Sequence, residues 1–209
     1  MAKKKVSLKK PIIKMEYESE PIIDSNADQY YYKSFSGIEV GRLIGITFDC
    51  CYFENVQFIG DLSRVEFLDC RFVNCDFSNR EIVKGGYYRC EFSETKLIGT
   101  VMNNSTMKDI LLRTCFLDLI SFSDCLVGPV IFNECSLKES YFDKCKFKGI
   151  EFNESDLFKV SFSETLLKGV NVAGCIIDGI SANPYELKGL IIDKYQAYEF
   201  CKYLDIEIE

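Results

Sequence analysis

The stretch CRFVNCDFSN, residues 70–79, is two five-residue units, each opening on Cys and carrying Phe at its third position. Counting outward from Phe72 and Phe77 in steps of five meets a sizeable apolar residue every time. The series starts Leu62, Phe67, Phe72, Phe77, Ile82, Tyr87, Phe92 and closes on Phe162, Leu167, Val172, Ile177, giving twenty-four consecutive positions. A period of five matches neither the ~3.6 of an α-helix nor the ~2.0 of an ordinary strand, so neither element places all these side chains on one buried surface. A coil that turns through a right angle once per five residues does. Four such steps close a square, and stacked squares form a solenoid with one inward side chain per wall per turn.

The cysteines keep the same register. Of eleven, nine lie two residues before a series position: Cys51, Cys70, Cys75, Cys90, Cys115, Cys125, Cys135, Cys145 and Cys175. A corner that points partly inward admits only a small side chain beside the Phe or Leu, and Cys serves there as a small hydrophobe. No CxxC pair occurs and histidine is absent, so the usual zinc spacings are missing and no metal or cofactor is expected. An odd number of buried thiols without an apolar leader is the pattern of a reducing, cytoplasmic setting. Cys50 and Cys201 are off the corner register and alone invite a reactive reading, with simple packing as the alternative.

Units such as CRFVN (70–74), CDFSN (75–79), CEFSE (90–94), CKFKG (145–149) and SDLFK (155–159) resemble the pentapeptide-repeat family, whose loose consensus is a small residue, Asp or Asn, a central Leu or Phe, then two polar residues. The resemblance implies an all-β fold: a right-handed quadrilateral parallel β-helix with a C-terminal α-helical cap.

Upstream, Phe48, Phe53 and Phe58 continue the series, with Leu43 and Ile38 fainter, but Phe58 to Leu62 is a step of four. One residue is missing there, so a bulge or distorted corner is expected. Three regions follow: a basic N-terminal extension over 1–37, partly disordered or packed on the solenoid; the β-helix over 38–180; and a C-terminal helix and short strand over 181–209. The middle region makes about seven coils, a rod of ~30–35 Å at one strand spacing per coil. The extension carries Lys3, Lys4, Lys5, Lys9, Lys10 and Lys14 before its first acid, Glu16. Two readings stand for it, a solvated arm or a contact with an anionic partner. No stretch is long enough to span a membrane.

Past Ile180, NPYELKG (183–189) reads as a turn, and Asp193 as the N-cap of a helix over Lys194–Leu204 in which Ala197, Phe200, Cys201 and Leu204 share one face. The alternation from Ile206 to Glu209 suggests a strand. A last coil exposes core and an unpaired edge, so a cap is required. The tail GLIIDKYQAYEFCKYLDIEIE also resembles the C-terminal segment of the Qnr- and MfpA-type quinolone-resistance group. That resemblance implies an end-to-end homodimer, here through Ile192, Tyr195, Ala197, Tyr198, Cys201, Leu204, Ile206 and Ile208. It further implies a cytoplasmic mimic of duplex DNA that binds DNA gyrase or topoisomerase IV and confers fluoroquinolone resistance, with no direct contact to nucleic acid or membrane. A scaffold for another protein, or an immunity factor against a gyrase-targeting toxin, is the alternative within the same family.

Charge bears on that expectation. The net charge is −7, far sparser than the one charge per ~1.7 Å of duplex DNA. Residues twenty apart stack, however, and sorting by wall segregates the signs. Glu91, Glu94, Glu134, Glu151 and Glu154, against Arg71 and Arg113, lie behind Phe72 and its stack, with Asp76 and Asp156 round the next corner. Arg89, Lys108, Lys146, Lys148 and Lys168, against Glu66, Asp69 and Asp109, lie behind Phe67 and its stack. The seven acids are the expected partner-binding face. Leu111, Phe116, Leu119, Leu126 and Ile131 fall at outward positions and form an expected apolar patch, covered either by the N-terminal segment folding back or by a partner. Catalysis has no support in the chain: no His is present, no GxSxG, Walker or GxGxxG sequence occurs, and the acids spread along walls rather than gathering in a pocket.

Overall fold

Phe72 sits between Phe53 and Phe92 in a single column, with ring centroids 4.8 and 4.5 Å apart and the rings nearly parallel. Farther along the same column Leu112 pairs with Phe132, and Phe132 stacks on Phe152 at 4.9 Å. The computed structural model describes residues 6–13 and 16–203, the last two by backbone alone. It is a right-handed quadrilateral solenoid of about seven turns, nearly all parallel β, ending in one short helix.

Three walls are continuous parallel sheets. The Phe72 wall has eight strands, from Glu18–Ser19 to Ile150–Asn153. The Phe67 wall has seven, from Gln29–Tyr31 to Lys146–Phe147, and the Ile82 wall seven, from Leu43–Ile44 to Ser161–Ser163. The fourth, the Phe77 wall, begins as a strand pair, Glu39–Val40 with Gln57–Phe58, and continues as single bridges through Asp76, Lys96, Phe116, Ser136, Asp156 and Ile176. Going round the coil, the Phe67 wall leads to the Phe72 wall, then the Phe77 wall, then the Ile82 wall, so the Phe67 and Phe77 walls are opposite.

The right-angle corners have a backbone cause. Two residues after most inward positions the chain enters the left-handed region, as at Asp69 (φ 53°), Asn74 (φ 51°), Glu94 (φ 51°), Asp109 (φ 58°) and Leu119 (φ 61°). Asn and Asp tolerate this conformation best, and a branched or bulky side chain there is held only by its surroundings. Here the ladder bonds on both sides of the corner impose it. Two residues before most inward positions a small side chain closes the corner from inside, with Arg80, Ile110, Ile120 and Ile150 among the larger exceptions. The thiols of Cys70 and Cys90 contact carbonyl oxygens of their own corner and of the coil below. Thr100, Ser140 and Thr165 place hydroxyls at the same position and donate to the coil below at 2.8–3.1 Å. The ten register and near-register cysteines from Cys50 to Cys175 are all buried and free.

The missing residue at 58–61 shortens that coil, so Phe48 pairs with Phe67 and Phe53 with Phe72 at a nineteen-residue offset. A second contraction was not foreseen. Tyr30 pairs with Phe48 and Phe35 with Phe53 at an offset of eighteen, because the step from inward Val40 to inward Leu43 is three rather than five. The step of five back from Leu43 therefore points to the wrong residue: Val40 is buried and Ile38 only half-buried. Gly60 allows the two contracted corners to meet, since a Cβ there would lie 2.2 Å from the Arg42 amide nitrogen.

Strand pairing reaches upstream of residue 38, through Lys33–Ser36, Gln29–Tyr31 and Glu18–Ser19. Tyr30 lies on Phe48 at 5.3 Å and Phe35 on Phe53 at 5.1 Å, so aromatic rings close the first coil. At the other end the coil runs on past Ile180. Ala182 is buried, Leu187 and Ile192 pack against the core, and Val172 bonds to Ile191 at 2.9 Å. The five-residue step survives here in weaker residues, which is why it fades from the sequence.

Candidate interaction surface

The last coil is closed by two polar clamps of one design. Asn183 Oδ1 accepts the Glu186 amide at 3.0 Å while Glu186 Oε2 accepts the Asn183 amide at 2.7 Å. Asp193 Oδ1 accepts the Gln196 amide at 3.1 Å while Gln196 Oε1 accepts the Asp193 amide at 2.9 Å. Each is a reciprocal capping box. The expected cap at Asp193 is thus present, but the helix it introduces is shorter than expected, Ala197–Tyr203, with three turn residues before it. Buried Gln196 also donates to the Val172 and Cys175 carbonyls at 2.7 and 2.8 Å, tying the cap to the core. Neither Glu186 nor Gln196 was legible as a buried residue, because both sit in a polar stretch. Of the expected dimer residues, Tyr195, Ala197 and Tyr198 are exposed and Ile192 and Cys201 half-buried. Leu204, Ile206, Ile208 and the closing strand lie outside the described residues.

The seven acids divide by environment. Glu94, Glu134 and Glu154 stand at left-handed corners between the Phe72 and Phe77 walls, all exposed. Among the described residues no salt bridge engages these three. Glu91 is paired with Arg71 at 2.9 Å, and Asp156 with Lys138 at 3.3 Å. Asp76 and Asp156 each accept the amide two residues on, at 2.8 and 3.0 Å, so part of their role is to shape the turn. Glu151 accepts the backbone N–H of Val6 at 2.6 Å.

That last bond belongs to a strap. Residues 6–13, in neither helix nor strand, run along the edge between the Phe67 and Phe72 walls. Lys9 donates its N–H to Asp109 at 3.1 Å, and Ile12 to Asp69 at 3.0 Å. Asp69 and Asp109 are buried beneath it. Between strap and wall lies a cleft of about 670 Å³ whose lining includes Leu8, Ile13, Glu91, Leu111 and Ile131.

The expected apolar patch is divided. Leu111 and Ile131 are register partners on the Phe72 wall, half-buried at the strap's cleft. Phe116 is exposed on the Phe77 wall, Leu119 at the corner beyond it, and Leu126 on the opposite Phe67 wall. Apolar residues spaced five apart fall on successive walls, so proximity in sequence did not give one surface. The N-terminal tyrosines do not cover the patch either: Tyr30 enters the core stack, and Tyr17 lies against Tyr52 at 5.7 Å.

Cys50 is buried, and burial followed by its hydrogen bond with Asp49 pushes its thiol up to about 12, which leaves no thiolate for chemistry near neutral pH. Asp49, Cys50 and Asp69 converge, and both oxygens of Asp69 are already held by Arg89, at 2.7 and 2.6 Å. Inside the solenoid a void of about 10 Å³ lies where aromatic rings give way to Leu97, Met102, Met107 and Leu112, too small for a substrate. No helix among the described residues is long and apolar enough to cross a membrane.

A parallel β-solenoid filled by its own side chains, with its charged groups on the outside, is a surface for contacts. Two family descriptions match it, "Pentapeptide repeat region" over residues 65–142 and "Pentapeptide repeats (8 copies)" over 135–174, together just over half of the sequence. The chain belongs to the pentapeptide-repeat family. No curated protein shows a significant match. Among solved structures, a trypsin-treated variant of QnrB1, a plasmid-mediated fluoroquinolone resistance protein, is 16% identical over 92% of this chain and 98% of its own, with a TM-score of 0.38. Full-length QnrB1 is 21% identical over 85% of this chain and 100% of its own, with a TM-score of 0.34. A pentapeptide repeat protein of the Arabidopsis thaliana thylakoid lumen is 13% identical over 63% of this chain and 75% of its own, with a TM-score of 0.27.

Proposed function

We propose that the chain is a non-catalytic binding protein that presents its acidic edge to the cationic DNA-binding surface of a bacterial type II topoisomerase, DNA gyrase or topoisomerase IV, and thereby protects that enzyme from fluoroquinolones. The observation that carries the reading is the exposed column Glu94, Glu134 and Glu154, rising along one edge and free of salt bridges among the described residues. Lys108, Lys146, Lys148 and Lys168 are exposed on the Phe67 wall, and exposed Arg113 on the Phe72 wall and Lys96 on the Phe77 wall border the acidic edge itself. At about one coil or two between neighbours, the carboxylates are ~5–10 Å apart. A partner within a Debye length of ~8–10 Å then meets a local negative potential although the net charge is small. Glu91 and Asp156 flank this edge partly neutralised by Arg71 and Lys138, Asp76 accepts the Ser78 amide, and Glu151 is engaged by the strap. Binding competes with DNA for the same cationic surface. A homodimer joined through the C-terminal segment, with exposed Tyr195 and Tyr198 at the junction, doubles the length of the acidic edge. The setting for this activity is cytoplasmic.

The test is supercoiling by gyrase over a ciprofloxacin titration, with wild type and with Glu94, Glu134 and Glu154 all replaced by Lys. Wild type is expected to raise the ciprofloxacin concentration that half-inhibits supercoiling, and the charge-reversed protein to lose at least ten-fold of that effect. Equal behaviour of the two removes the acidic edge from the mechanism, and no effect of wild type removes the topoisomerase.

A further inference from the structure

Three backbone N–H groups of the strap, from Val6, Lys9 and Ile12, meet carboxylates on the solenoid, and they are spaced three residues apart. Their acceptors lie about two coils apart in turn: Asp69 and Asp109 stand in one corner column, and Glu151 stands two residues past that column, on the Phe72 wall, and reaches the strap from there. The two repeats are commensurate. Two coils measure ~9.6 Å at the usual strand spacing, and three residues of an extended polyproline-type chain rise ~9.3 Å. An extended chain on this edge therefore presents the same donor to every second coil without strain, and side chains at the intervening positions do not enter the register. Ser7, Lys9, Lys10, Ile12 and Ile13 are exposed, whereas Pro11, which has no N–H, is buried at a position where none is called for.

We propose that the edge between the Phe67 and Phe72 walls is a peptide-binding groove that reads an extended, basic, proline-compatible segment through its backbone N–H groups at every third residue, and that residues 6–13 are its resident and exchangeable occupant. The groove supplies the anionic acceptors, and Leu111 and Ile131 give an apolar floor to the adjoining cleft. Recognition of this kind depends on where the N–H groups fall more than on which side chains accompany them. A segment of another protein with the same spacing competes with the strap for the groove. The inference stands apart from the topoisomerase reading, because its readout is binding of a short peptide.

The test uses the full-length protein carrying Val6→Pro and Ile12→Pro, which removes two of the three donors while keeping every lysine. A fluorescent, N-acetylated peptide of residues 6–13 is titrated into this protein and into wild type. The tethered strap competes at an effective concentration on the order of millimolar, so the peptide is expected to bind the doubly substituted protein at least ten-fold more tightly than wild type. A peptide with the same two prolines, unchanged in charge, is expected to bind at least ten-fold more weakly, and Asp109→Asn in the doubly substituted protein to weaken the unmodified peptide. In wild type, amide exchange at Lys9 and Ile12 is expected to be slower than at Leu8 and Lys10. If both peptides bind alike, lysine attraction alone is at work and the proposal is overturned. Absence of binding to the substituted protein, or uniform exchange across 7–12, overturns it as well.

Discussion

Arg89 grips Asp69 across one coil, its Nε and Nη2 donating to the two carboxylate oxygens at 2.7 and 2.6 Å. The carboxylate is 3% exposed and the guanidinium 33%. The hydrogen bonding of Arg89 to Asp69 is also the leading cause that raises the guanidinium above its ordinary range. The pair locks two coils together where the strap ends, since Asp69 accepts Ile12 as well.

Arg89→Ala leaves a buried carboxylate with one backbone donor. Breaking a fully buried pair costs about 3–5 kcal/mol, but water reaches Asp69 once the partly exposed arginine is gone, and the expected loss is about 1–2 kcal/mol. Urea unfolding measures it. A double change to Ala at Arg89 and Asn at Asp69 is expected to recover part of that loss, because no charge is then stranded.

Phe72 and Phe116 are the same residue at different places in the repeat, and they are opposites in the fold. Phe72 is fully buried between two rings, so Phe72→Ala is expected to cost about 3–5 kcal/mol. Phe116 is 44% exposed, and Phe116→Ala is expected to change stability by no more than about 0.5 kcal/mol. Thermal melts of the two variants side by side are the check.

Gln196→Ala strips a buried amide that serves the Val172 and Cys175 carbonyls and the Asp193 amide at once. An orphaned buried polar group costs about 1–3 kcal/mol. The final coil is therefore expected to lose at least that much, with faster hydrogen exchange confined to residues after 170 and the middle coils unchanged. Gln196→Glu is expected to fail as a rescue, since a carboxylate cannot donate to the two carbonyls.

Alkaline pH is expected to unfold the solenoid. Burial pushes the thiols of Cys50 and Cys75 up to about 12. In the unfolded chain they ionise from about pH 8.5. Above that pH the unfolded state binds fewer protons than the native one, so stability falls as pH rises and keeps falling until the native thiols titrate. Denaturant midpoints at pH 7, 9 and 10.5 are expected to decrease in that order; Cys75→Ala lowers stability at pH 7 by opening a small cavity but flattens the slope above pH 9.

The period of five, taken with what side chains demand of a corner, determined the square coil, its four columns, the small residue at each corner and the shortened turn at 58–61. Those follow from local spacing, which a solenoid repeats without reference to distant residues. The tertiary structure alone decided the rest. Val40 rather than Ile38 points inward because two contracted corners meet at Gly60, and the coil runs on to Ile192 because weak positions are carried by ladder bonds to the turn before. Glu151, Asp109 and Asp69 lie far apart in the chain, so only the stacking of coils brings the wall carboxylate and the two corner carboxylates under one strap for Val6, Lys9 and Ile12. The apolar residues near position 120, close neighbours in the chain, are parted for the converse reason: each right-angle turn sends the next of them to a different wall.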